Sequence, residues 1–143
     1  MSVFVVDASV VAKWLFPETH SDAARKLLQQ RADYLAPDLL FAEVTNVIWR
    51  KMRRGQIAPA HAQRLAIDLE TIAVETVPCR TLAKDAYSLA AATGQSPYDA
   101  LYVALAVRLD TQVITADERR VNAFSSIPAL APHVTSLQDF DAS

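Results

Sequence analysis

The 143-residue chain predicts an α/β fold, a parallel sheet covered by helices. Three observations carry this expectation. Short apolar runs rich in β-branched residues recur along the chain, longer stretches at helical period lie between them, and prolines and glycines fall at the junctions. Strands that alternate with helices build layered α/β structures. A strand apolar on both faces belongs inside a parallel sheet.

The elements follow in order. Val3–Val6 is the first strand, and Asp7-Ala8-Ser9 marks its passage into a helix over Ser9–Phe16. A second helix spans Ser21–Arg31, and Tyr34–Ala36 forms the second strand. Pro37 precedes a helix over Leu39–Arg54 that Gly55 closes as a C′ residue would. Pro59 suits the first turn of a helix running to Ile72, ahead of the third strand at Val74–Val77. Leu82–Thr93 is helical and ends at Gly94; Ser96-Pro97-Tyr98-Asp99 opens the next helix, Pro97–Leu109. Val113–Thr115 is the fourth strand, a short helix follows Asp117, and His133–Thr135 is a weaker fifth strand. Helix pairs between some strands imply a sheet covered on both faces.

Composition narrows the class. With 52% hydrophobic and 21% charged residues, the chain has the make-up of a folded, soluble protein. A domain of this size buries about 68–70% of its unfolded surface, so it needs no covalent staple. Cys79 is the only cysteine, which excludes an intramolecular disulfide and any CxxC motif and suits a reducing cytoplasm. No basic residue precedes Lys13, and Asp7 follows the first apolar run, so a secretory leader is not expected. The longest apolar run, Ala100–Val107, is far shorter than the ~20 residues that span a bilayer. Without repeats, low-complexity tracts or Gly/Ser linkers, residues 1–143 read as a single domain in the cytoplasm with no membrane partner. The net charge of −2 gives no strong overall attraction to nucleic acid. Setting aside four acids singled out below, 12 of the 16 acidic residues face 14 basic ones, so charge distribution matters more than the sum.

Those four acids sit where a folded chain rarely places them. Asp7 ends one buried run, Asp117 follows another, Asp99 heads an apolar helix, and Glu43 interrupts one. Each also has a modest explanation. Asp7 can cap the first helix. Ser96-Pro97-Tyr98-Asp99 matches the [ST]-x-x-[DE] capping pattern, and Thr115-Ala116-Asp117-Glu118 fits a capping box closed by Glu118. Glu43 can lie on a solvated flank near Arg50. Their joint placement argues for one site, because strand ends of an open parallel sheet share the edge at which ligands bind, and a central helix can bring Asp99 there. Glu43 cannot be a cap in mid-helix. It borders the stripe of Leu40, Val44, Val47, Ile48 and Lys51, while Asn46, Arg50 and Arg54 continue along its own helical edge.

Two carboxylates about 4 Å apart repel by about 4 kcal/mol at an effective dielectric near 20, so such a cluster requires a cation. A metal ion is the expected one. Mg²⁺ accepts one or two carboxylates, keeps waters and bridges to phosphates. It can also lower the pKa of a bound water and neutralise a phosphate transition state, with room for a second ion.

Other motifs are weak. His20, His61 and His133 share no metal-ligand spacing, Ser9 and Thr115 lack a base partner, and two glycines cannot build a Walker loop or GxGxxG. Arg50, Lys51, Arg53 and Arg54 form the densest basic patch, either a solvated face or a grip on a polyanion beside the acidic centre. Trp14, Trp49 and Tyr98 are core or stacking residues.

Several pieces together resemble the PIN-domain ribonucleases, specifically the short VapC-type toxins of toxin-antitoxin pairs. They are Val5-Val6-Asp7-Ala8-Ser9-Val10, Pro37-Asp38-Leu39 leading to Glu43-Val44-Thr45-Asn46, the segment Tyr98-Asp99 through Ala106, and Thr115-Ala116-Asp117. The resemblance spans nearly the whole chain. It implies a five-stranded parallel sheet in order 3-2-1-4-5, and an acidic set of Asp7, Glu43, Asp99 and Asp117 binding Mg²⁺ or Mn²⁺. Ser9, Asn46 and Thr115 match supporting polar positions. It further implies cleavage of RNA (tRNA, rRNA or mRNA), an antitoxin that blocks the site, and a homodimer. Asp110 departs from the pattern, standing where similar toxins often have a turn glycine.

The leading expectation is a Mg²⁺-dependent endoribonuclease in which Asp7, Asp99 and Asp117 hold the metal directly or through water, and Glu43 binds a second ion or steers the attacking water. Replacing Asp7 or Asp99 by Asn is then expected to abolish cleavage and to relieve repulsion in the metal-free protein. An aspartyl-phosphate phosphatase or receiver-like domain is the enzyme alternative, opposed by Ser9 where a DxDx[TV] motif needs Asp, and by Pro78-Cys79 where a receiver needs its acceptor. A non-catalytic binding module, with the acids as caps, is the other.

Overall fold

A computed structural model describes residues 2–140. Five strands, β1 (Ser2–Val6), β2 (Ala32–Pro37), β3 (Glu75–Val77), β4 (Val113–Thr115) and β5 (Val134–Ser136), form one sheet in the order β3-β2-β1-β4-β5. Every pairing is parallel, as expected. β1 lies at the centre, with Val5 opposite Leu35 on one side and Val113 on the other. Val5, Val6, Val113 and Ile114 are wholly buried, which is why these strands read as unbroken apolar runs.

Seven helices cover the sheet: α1 (Ala8–Leu15), α2 (Ser21–Leu27), α3 (Leu39–Arg53), α4 (Pro59–Asp68), α5 (Cys79–Thr93), α6 (Pro97–Arg108) and α7 (Glu118–Ser125). None of the described helices is long and apolar enough to cross a membrane. α6 is the central one. Ala100 through Ala106 are all buried against α5, β1 and β2, so it shows a continuous apolar run rather than the one-sided stripe of a surface helix.

Three helix boundaries differ from the sequence reading by three residues or more; the remaining ends shift by one or two. α2 stops at Leu27 rather than Arg31, because the amides of Leu28, Gln29 and Gln30 turn back only three residues and the Tyr34 hydroxyl takes the Leu27 carbonyl at 2.6 Å. α4 yields at Leu69–Thr71 to a 3₁₀ turn. α5 begins three residues early, at Cys79, because Asp38 Oδ1 accepts the Cys79 amide at 3.0 Å. That cap comes from the end of a neighbouring strand and leaves no local signature.

The α6–β4 junction is held at Asp110, whose φ of 50° lies in the left-handed region. A glycine-like turn is therefore made by a residue with a side chain, which Asp tolerates better than most. Left-handed backbone costs a non-glycine residue about 1–2 kcal/mol, against about 0.5–1 kcal/mol for the extra unfolded-state freedom of glycine. Asp110→Gly is expected to raise stability by up to about 1 kcal/mol, read from chemical denaturation midpoints.

Candidate functional site: an acidic edge bridged by an arginine

The C-terminal ends of β1 and β4 meet at Asp7 and Thr115, one residue beyond the Val6–Ile114 pair. Asp7 has no solvent exposure. Its Oδ1 caps α1, accepting the Ser9 amide at 3.1 Å, the Val10 amide at 3.3 Å and the Ser9 hydroxyl at 2.5 Å. Ser9 Oγ in turn accepts the Ala116 amide at 2.9 Å, tying the first strand end to the fourth. Thr115 Oγ1 accepts the Asp117 amide at 3.1 Å and lies 3.4 Å from Ser9 Oγ. The polar positions Ser9 and Thr115 therefore brace the edge. Asn46 is exposed on α3 one turn beyond Glu43 and makes no side-chain hydrogen bond among the described residues.

Because capping uses only Oδ1, Asp7 Oδ2 is left to face Arg120, whose Nη1 donates to it. Arg120 Nη2 donates to Asp99 Oδ1. The guanidinium thus forks between two acids that are 92 residues apart in the chain, and its central carbon Cζ lies over the Tyr102 ring, 5.6 Å from the ring centre. Ser96, not Asp99, caps α6, accepting the Asp99 amide at 3.2 Å, so the Asp99 carboxylate is free for this role. Glu43 belongs to the same group: Tyr102 donates its hydroxyl to Glu43 Oε1 at 2.5 Å. Burial raises the Glu43 pKa, and Asp7 and Asp99 push the same way against the Tyr102 bond and Arg120. Burial, and then Glu43, push the Tyr102 phenol well up, so it stays a donor. For Arg120 burial works against the charge, but Asp7, Asp99 and Glu43 outweigh it and raise the pKa.

Asp117 caps α7, accepting the Arg119 amide at 3.0 Å. The capping box expected from Thr115 to Glu118 does not form, since Thr115 lies within β4. Asp117 shares a shallow cavity of about 340 Å³ with Gln95, Asp99, Arg119 and Arg120. Arg119 Nε approaches it at 3.9 Å but is almost fully exposed, so that pair adds little.

The sequence reading brought the four acids to one edge but missed the cation. Arg120 and Tyr102 answer acids from other elements, Asp7 with Asp99 and Glu43 respectively, so no local spacing marked them. The repulsion expected of a metal-free cluster is met by Arg120. Asp7→Asn in the metal-free protein therefore removes an attraction and is expected to destabilise it, contrary to the simple repulsion argument. Among the described residues, no three His, Cys, Asp or Glu side chains stand in a metal-holding arrangement while Arg120 lies between Asp7 and Asp99.

The basic patch lies elsewhere. α3 runs beside α1, with Glu43 near Asp7 at one end and Lys51 4.8 Å from the Phe16 ring centre at the other. By helix rise, Arg50 to Arg54 stand roughly 10–17 Å from Glu43. Lys51 pairs with Glu18 at 3.7 Å and Arg53 covers Trp49, while Arg50 and Arg54 are exposed. The patch is not beside the acidic centre.

Two outcomes follow from this geometry. Ser9→Ala removes the link between the two strand ends and leaves the Ala116 amide without its partner, at a cost of about 1–3 kcal/mol in denaturation measurements. For Glu43, burial makes the folded state hold its proton more tightly than the unfolded chain. Its contribution is thus most favourable below the ordinary pKa and is lost as pH rises through the folded value. With EDTA present, Glu43→Gln, which still accepts the Tyr102 hydroxyl, should raise the melting temperature at about pH 7 and lose that advantage towards about pH 4.

A family model described as PIN domain matches residues 4–128. Ribonuclease VapC3 of Pyrobaculum aerophilum is 32% identical over 125 residues, covering 86% of this chain and 95% of that relative. The crystal structure of PAE2754 from Pyrobaculum aerophilum is similar with a TM-score of 0.67 at 21% identity, covering 96% of this chain and 85% of that one. A toxin-antitoxin complex from Klebsiella pneumoniae gives a TM-score of 0.63 at 16% identity, covering 96% and 98%. At those identities the structural likeness speaks for the fold.

Proposed function

The chain belongs to the PIN-domain family, and on that premise we propose that it is a divalent-metal-dependent endoribonuclease, the toxin of a toxin-antitoxin pair. The observation that carries the reading is the meeting of Asp7, Asp99 and Glu43 about one cationic group at the C-terminal edge of a parallel sheet. That edge is where open α/β sheets bind ligands.

The residues fit a metal ion. One cationic group already bridges Asp7 and Asp99, so the two carboxylates face each other across a positive charge, and Asp117 opens onto the adjoining cavity. Asp7, Asp99 and Asp117 would hold Mg²⁺ or Mn²⁺. When bound, the ion activates water for hydrolysis of an RNA phosphodiester and offsets charge on the phosphate. Glu43, held by the Tyr102 hydroxyl, would steer that water or share in a second ion. Ser9 and Thr115 keep Asp7 and the β4–α7 turn in register; Asn46 lies farther out on α3. The general acid of an aspartyl-phosphate phosphatase would fall at position 9, where Ser9 Oγ is engaged with Asp7 and Ala116.

Residues 1–143 serve as one nuclease domain working in the cytoplasm on tRNA, rRNA or mRNA. An antitoxin restrains it, and two copies pair. Arg50, Lys51, Arg53 and Arg54 lie too far along α3 to touch the scissile phosphate, so their role is with flanking RNA backbone.

Purified protein supplied with Mn²⁺ should cut RNA to leave 5′-phosphate ends, and Asp99→Asn should slow this at least ~10²-fold while the fold, read by circular dichroism, is retained. Undiminished cleavage by Asp99→Asn would refute the assignment. Replacing Arg50 and Arg54 together by Gln should leave the cleavage position unchanged. It should also reduce the slope of log binding against log salt by about 0.7 per charge removed, measured by fluorescence anisotropy on single-stranded RNA.

A further inference from the structure

Arg120 does more than balance charge. Its guanidinium bridges Asp7 and Asp99 through separate nitrogens and fills the space between the two carboxylates, the space that an ion shared by both would take. Resting on the metal-nuclease reading above, we propose that Arg120 is a built-in counter-ion that closes the acidic site and that a divalent ion must displace in order to bind.

Four features support displacement over a fixed structural role. The two terminal nitrogens are each spent on a different carboxylate, a forked arrangement that leaves a dication no free share of those oxygens. Arg120 Nε is buried without a hydrogen-bond partner among the described residues, so the inward position leaves one donor unsatisfied. The side chain springs from the first turn of α7 and borders the shallow cavity shared with Gln95, Asp99 and Asp117, which gives it somewhere to go. Finally, a divalent ion and a guanidinium on the same two carboxylates repel each other inside a poorly solvated pocket, so the two occupy the site in turn.

The closed state spares the metal-free protein a cluster of like charges, and it reduces the apparent affinity for metal to the intrinsic affinity multiplied by the small fraction of molecules in which Arg120 is turned outward. Selectivity follows as well. A weakly held or singly charged ion cannot replace a forked, charge-assisted pair, whereas a dication can.

The test is calorimetric titration of Mn²⁺ into the full chain and its Arg120→Gln, Arg120→Lys and Asp99→Asn variants, with no activity measurement involved. Arg120→Gln should tighten the Mn²⁺ Kd tenfold or more, Arg120→Lys should fall between it and the unaltered protein, and Asp99→Asn should abolish or severely weaken binding. In EDTA, Arg120→Gln should melt below the unaltered protein, and saturating Mn²⁺ should close or reverse that gap. If Arg120→Gln does not fold without metal, the Arg120→Lys Kd decides the matter. Equal Kd values across the Arg120 series, with binding still lost in Asp99→Asn, would overturn the counter-ion role and leave the metal site standing. Saturable binding unaffected by Asp99→Asn, or none in any of the proteins, would overturn both.

Discussion

A carboxylate shut off from solvent must find all of its partners inside the protein, and Asp7 is such a group. One oxygen is consumed by the start of α1 and by Ser9; the other is met by Arg120. Much else follows from that division. Ser9 must reach both Asp7 and Ala116, which fixes how closely the ends of β1 and β4 approach. In the metal-free protein Arg120 points inward from α7, where it meets Asp99 from α6 and lies over Tyr102, the residue that holds Glu43. Removing one partner of a buried ion pair typically costs about 3–5 kcal/mol, because the charge left behind has no solvent to turn to.

The scaffold makes this meeting possible. In a parallel sheet all strands end on the same edge, so residues just beyond β1 and β4 are neighbours despite more than a hundred positions between them. Helices α1 and α7 start at that edge with their positively polarised ends, and Asp7 and Asp117 satisfy free amides there while keeping an oxygen to spare. Capping and site formation are therefore two uses of the same carboxylate. α6 completes the arrangement: its wholly buried body pins Tyr102 in the core and leaves Asp99, a turn earlier, at the rim.

Charge is divided between the two ends of α3. The acidic end faces the sheet edge, and the basic end projects beyond Phe16. In the proposed nuclease this separates the cutting point from backbone contacts further along an RNA strand, so affinity and chemistry are adjustable by different residues. The arrangement also keeps the arginines of α3 from competing with Arg120 for the acids.

The sequence by itself determined the alternation of strands and helices, the buried character of β1, β4 and α6, and the acids at the strand ends. These are encoded locally, in apolar periodicity, β-branched runs, and Pro and Gly punctuation. Even Asp110, flagged against a turn glycine, proved to hold left-handed backbone. Only the tertiary structure decided who answers the acids. Arg120, the Asp38 cap on Cys79 and the Tyr102 bond to Glu43 join residues from separate elements, and nothing in a local window distinguishes them from other polar side chains. The Arg120 and Tyr102 contacts draw their energy from burial, and all three need a precise direction in space, which exists only once the sheet and its helices have closed around them.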